Sequence, residues 1–128
     1  MIRTTCHCGA VRIAIPRQPE ALTTCDCSIC RRYGTLWAYF ESPEVEIGAE
    51  PGATREYSWG RKSIAFARCI RCGCITHWRP LAGRRGQRMG VNVRNFAPEQ
   101  IGAVRIRLLD GAVTEEFVGE ILPQGGAA

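Results

Sequence analysis

The placement of 8 cysteines among 128 residues constrains this chain more than any other feature. They fall into three tight groups: Cys6 and Cys8; Cys25, Cys27 and Cys30; Cys69, Cys72 and Cys74. No cysteine stands alone. Disulfide frameworks usually scatter their cysteines so that each bridge closes a long loop, whereas metal knuckles bring two thiolates together on one turn. The N-terminus, Met1 to Cys6, has no apolar stretch resembling a secretory signal, so a cytoplasmic location is expected. Reducing cytosol disfavours structural disulfides, and clustered cysteines there signal metal or redox chemistry.

Cys69-Ile70-Arg71-Cys72-Gly73 reads as a knuckle: two thiolates grip one ion while backbone N–H groups of the turn hydrogen-bond the sulfurs. A closed tetrahedral site needs two more ligands, and Cys6-His7-Cys8-Gly9 is the natural complement. Joining the two staples the N-terminus to the middle of the chain, a folding contribution that small domains often require. Cys25-Asp26-Cys27-Ser28-Ile29-Cys30 differs, with three thiolates in six residues and no evident fourth. Three ligands and a vacancy are the pattern of a catalytic or exchanging zinc. The alternatives are a site closed by Cys74 or His77, or a metal-free cluster of reactive thiols. Thiol–disulfide exchange at Cys27 and Cys30 has the right spacing but lacks the βαβ context.

Elsewhere the period is mostly two, the strand period. Strands are expected at Val11–Ile15, Leu36–Phe40, Val45–Ile47, Thr54–Trp59, Ser63–Arg68, Ile75–Arg79, Met89–Arg94 and Val104–Leu109. Helical turns are expected only at Ser28–Tyr33 and Pro98–Ile101. The reading is a single β-rich domain over 1–123 with a loose tail at 124–128. The longest purely apolar run, Leu36 to Phe40, is far short of the roughly 20 residues of a membrane helix.

The three ordered cysteine motifs, Cys6-His7-Cys8-Gly9-Ala10-Val11, Cys25 through Gly34, and Cys69 through Gly73, resemble the glutathione-dependent formaldehyde-activating enzymes, a family that also contains the centromere protein V domain. The resemblance spans roughly residues 3 to 110. It implies an all-β fold of the β-tent type, two twisted antiparallel sheets stapled by a structural zinc on Cys6, Cys8, Cys69 and Cys72. It also implies a second, exchangeable zinc on Cys25, Cys27 and Cys30, and addition of glutathione to formaldehyde, formally a carbon–sulfur lyase reaction in reverse. A non-catalytic thiol carrier or interaction scaffold is the competing expectation. Cys74 departs from the minimal family pattern, which commonly has a small residue after the knuckle glycine.

That chemistry suits an open zinc, because only a thiolate attacks a carbonyl and a free thiol is mostly protonated at neutral pH. Glutathione carries two carboxylates and one ammonium, so arginine forks are expected near the site. Arg31 and Arg32, directly after Cys30, are the candidates, with His77 and Asn92 as further substrate-binding candidates. Trp37, Trp59 and Trp78 are core candidates first and pocket walls second. If a strand starts at Cys74, Thr76 and Trp78 share its face and Ile75 and His77 take the other. The formal charge of +5 falls to +2 once two zinc ions with four and three thiolates are counted, so the basic balance says little about nucleic acid. Nor does any basic–aromatic stripe suggest it; the densest cluster is Arg84, Arg85 and Arg88. The expected partners are a small thiol and an aldehyde, with the chain a monomer or homodimer.

Overall fold

The computed structural model describes residues 1–81 and 86–123, so Arg84, Arg85 and the expected tail at 124–128 lie outside the described residues. In chain order the strands and helices are β1 (Ile2–Thr5), β2 (Val11–Ile15), β3 (Ala21–Cys25), α1 (Ser28–Tyr33), β4 (Trp37–Glu41), β5 (Glu46–Ala49), β6 (Thr54–Tyr57), β7 (Ile64–Cys69), β8 (Ile75–Pro80), β9 (Arg88–Asn92), α2 (Pro98–Ile101), β10 (Arg105–Asp110) and β11 (Glu116–Ile121). The chain is all-β in class. Three strands form one sheet in the order β1-β2-β5, and eight form the other in the order β11-β10-β3-β4-β9-β8-β7-β6. Among the described residues every pairing is antiparallel except β10 with β3, which run parallel in register from Arg105 opposite Ala21 to Leu109 opposite Cys25. Among the described residues no helix is long and apolar enough to cross a membrane.

Strand alternation divides the larger sheet between two apolar clusters. Along β4, Ala38 and Phe40 join Val11, Ile13 and Ile15 of the small sheet and Met89 and Val91 of β9. Trp37 belongs instead to a second cluster with Cys30, Phe66, Ile75 and Trp78, and Tyr39 packs against it. Each fully buried aliphatic or aromatic side chain contributes about 1.5–3 kcal/mol relative to exposure. The first cluster holds the sheets together; the second forms the floor of the site described below.

A bulge in β8 changes which side chains reach that floor. Ala67 lies opposite His77 and Arg68 opposite Ile75, so Thr76 is the extra residue. Ile75 and Trp78 therefore share a face, contrary to the simple alternation expected from the sequence. The Thr76 hydroxyl donates to the Ala67 carbonyl at 3.3 Å and lies 2.9 Å from His77 Nδ1. The hydroxyl thus joins the β7 backbone to the His77 ring through Nδ1.

Burial holds His77 down at about 4, with Arg79 acting in the same direction and Glu56 against it. An unfolded histidine titrates near 6.5, so between about pH 4 and 6.5 the unfolded chain binds the extra proton. Stability is full above that window and falls with acidification by about 3 kcal/mol from this group. Urea midpoints of the wild type and His77→Gln, measured from pH 4.5 to 7, should show a shallower pH dependence in the variant. Parallel curves would assign the acid sensitivity to other groups, including the cysteine ligands common to both proteins.

Candidate metal centres and the cleft beside them

The first centre is built from two matching turns at strand ends. Cys6 follows β1, and its turn closes with Gly9 N–H on the Cys6 carbonyl at 3.1 Å and Cys6 N–H on the Val11 carbonyl at 2.9 Å. Cys69 ends β7, and its turn closes in the same way, with Gly73 N–H on the Cys69 carbonyl at 2.9 Å and Cys69 N–H on the Cys74 carbonyl at 3.0 Å. Gly9 and Gly73 sit at φ +86° and +79°, the left-handed region these reversals need and side chains disfavour. The turns face each other. Cys6 Sγ lies 3.7 Å from Cys8 Sγ, which lies 3.6 Å from Cys69 Sγ, and all four sulfurs of Cys6, Cys8, Cys69 and Cys72 are within 4.8 Å of one another. Four sulfurs at 2.3 Å from one tetrahedral zinc would stand about 3.8 Å apart. Partial burial works against a Cys72 thiolate, but the N–H groups of Cys74 and Cys8 bring that thiol down to about 5. Cys74 hydrogen-bonds Cys72 and stands outside the four-sulfur set.

The second cluster is assembled at the start of α1. Cys27 is the cap residue: its Sγ accepts from Cys30 N–H at 3.4 Å, while its own N–H points to Cys25 Sγ at 3.5 Å. The three sulfurs of Cys25, Cys27 and Cys30 lie within 4.8 Å of one another, and no other His, Cys, Asp or Glu among the described residues joins them. Neither Cys74 nor His77 closes the set. A hydrogen bond from the Cys30 thiol holds Cys25 down at about 6, and the same bond together with burial pushes Cys30 up. Three soft donors with an unfilled corner suit zinc at a ligand-exchanging site.

The trio lines a cleft of about 610 Å³, within the roughly 300–1,000 Å³ of small-molecule sites. Trp37, Tyr39, Phe66 and Trp78 supply the aromatic wall, and Trp59 stands half exposed at the side. Trp78 packs so closely over β9 that a Cβ at Gly90 would overlap its indole. Among the described residues, Arg61 and Arg88 are the cations on this cleft, and Arg88 lies over the Tyr39 ring at 4.6 Å.

Of the residues singled out from sequence for substrate binding, none lines this cleft. Arg31 lines a neighbouring hollow of about 490 Å³ that also touches Cys25 and Cys30. Arg32 is exposed and donates to the Ser28 carbonyl at 2.8 Å along its own helix. His77 is buried in β8. Asn92 is a buried joint: its Oδ1 accepts from Leu36 N–H at 3.1 Å and its Nδ2 donates to the Ile75 carbonyl at 2.9 Å. Arg61 and Arg88 were not singled out for this cleft, and the basic cluster that Arg88 forms with Arg84 and Arg85 in sequence does not point to it. Arg88 reaches Tyr39 only through the pairing of β4 with β9, and Arg61 sits in a polar turn like many others.

The glutathione-dependent formaldehyde-activating enzyme family matches residues 1–105 of the chain. Among solved structures, the crystal structure of a Rhodobacter sphaeroides protein, a Northeast Structural Genomics target, is 30% identical with a TM-score of 0.65. That match covers 80% of this chain and 96% of the other. No curated protein matches the chain.

Proposed function

Since the chain belongs to the glutathione-dependent formaldehyde-activating enzyme family, we propose that it joins glutathione to formaldehyde, giving S-(hydroxymethyl)glutathione. The supporting observation is the convergence of Cys25, Cys27 and Cys30, without a fourth protein ligand among the described residues, on an aromatic cleft bearing two arginines. We assign a structural zinc to Cys6, Cys8, Cys69 and Cys72 and an exchangeable zinc to the trio. Held by the trio, zinc would supply the positive charge that favours the thiolate form of an incoming thiol.

The chain's own residues do the rest. Cys25, Cys27 and Cys30 are held in place by the N–H donors of the α1 cap. Trp37, Phe66 and Trp78 exclude water from the reacting carbon, and Arg61 and Arg88 take the carboxylates of the tripeptide. The reaction balances without an oxidant or reductant: the thiol sulfur forms a bond to carbon, the carbonyl becomes a hydroxyl, and the proton shed by the thiol ends on that oxygen. We place this activity in the cytoplasm, where a reducing pool keeps the eight free cysteines available as ligands.

Thiols and aldehydes add unaided, so the test is the rate above background. Zinc-loaded protein at saturating glutathione should raise initial formaldehyde consumption in proportion to enzyme concentration. A rate equal to the protein-free control, with glutathione still bound, would make the protein a thiol carrier.

A further inference from the structure

The β10–β11 hairpin lies beyond the family match apart from its first residue, yet it forms one wall of the trio's cleft through Leu109, Gly111, Ala112, Val113 and Glu115. It is fastened to the cysteine loop at two points. Asp26, between the first two cysteines, donates its N–H to the Leu109 carbonyl at 3.3 Å, and its Oδ1 accepts from Ala112 N–H at 3.1 Å. Gly111 rests against the trio so closely that a Cβ there would overlap Cys25 Sγ. The turn is also braced from within. The Asp110 carboxylate accepts from Val113 N–H, Thr114 N–H and the Thr114 hydroxyl at 3.2, 3.2 and 2.9 Å. Glu115 is held at φ +58°, a conformation few glutamates adopt, and its carboxylate reaches Arg61 at 3.7 Å.

We infer that this hairpin is a specificity element that recognises a zwitterionic thiol, with Glu115 binding the substrate's ammonium and Arg61 and Arg88 its carboxylates. The inference rests on the thiol reading of the trio. Among the described residues, the cleft's charged side chains are two cations and one anion, the mirror of glutathione's two carboxylates and one ammonium. Arg61 and Glu115 are 87% and 71% exposed, so their mutual pair is weak and open to exchange for a ligand's opposite charges. The braced turn fixes the Glu115 backbone, so the ordering cost of binding there is confined to the side chain.

Calorimetric titration of the zinc-loaded full chain with glutathione, N-acetylglutathione and glutathione amidated at its glycine carboxyl tests this. The wild type should bind glutathione about fivefold more tightly than the N-acetyl compound, the effect of one exposed charge contact. Glu115→Gln should bring that ratio close to one while keeping the penalty for amidation. Arg61→Gln and Arg88→Gln together in one chain should do the reverse. An unchanged acetylation ratio in Glu115→Gln, or no discrimination by the wild type among thiols that all bind, overturns the role of the hairpin and leaves the thiol reading standing. Failure of the zinc-loaded wild type to bind any of the three overturns both.

Discussion

Cys69→Ser should leave a chain without a cooperative fold at 25 °C. Cys69 is fully buried, ends β7, and shares its sulfur cluster with Cys6 and Cys8 at the far end of the sequence. That centre ties the turn between β1 and β2 to the turn between β7 and β8, and so the small sheet to the large one. Zinc on four thiolates stabilises small domains by about 10–16 kcal/mol, as much as the whole net stability of a typical domain, roughly 5–15 kcal/mol. Serine removes one strong donor and leaves a hydroxyl in an apolar cluster. Circular dichroism melts check it, and chelation of the wild type should reproduce the loss. A cooperative transition within a few degrees of wild type would mean that packing alone carries the fold.

Cys27→Ser should have the opposite profile, an intact fold with thiol binding weakened by at least about a hundredfold. The reason lies in the cap of α1. Cys27 Sγ accepts the Cys30 N–H, and serine is among the preferred residues for that bond, so the helix start is preserved. What is lost is a thiolate donor, and a serine hydroxyl is a poor substitute toward zinc. Isothermal titration with glutathione, together with a thermal midpoint within a few degrees of wild type, is the expected pair of results. Unchanged glutathione affinity would separate thiol binding from the trio.

Both cysteine clusters were legible in the sequence because spacing on a turn is local information. Two cysteines one or two residues apart share a turn whatever the rest of the chain does, and the glycines after Cys8 and Cys72 mark the reversals. α1 and the strand at β4 were readable for the same reason. Long-range register was not. The parallel pairing of β10 with β3 brings the Asp110–Glu115 turn against the cysteine loop, and nothing local to either segment announces it. β11 escaped notice because every residue in it is exposed, so it has no buried face for an apolar alternation to mark. The bulge at Thr76 defeated the expected facing of β8, since one extra residue reverses the parity beyond it. The same distinction separates Arg32, adjacent to the trio in sequence but bonded along its own helix, from Arg61 and Arg88, which share the trio's cleft in space.

The decisive property is the difference between a sulfur centre that the chain closes by itself and one that it leaves incomplete. Native mass spectrometry of the zinc-loaded protein, with and without glutathione and after a mild chelator, reads that difference. Two zinc ions per chain are expected, one surviving chelation, with the glutathione adduct confined to the two-zinc species and missing from Cys27→Ser. An adduct equally abundant on the one-zinc species, or a chain that never takes up a second ion, would contradict it.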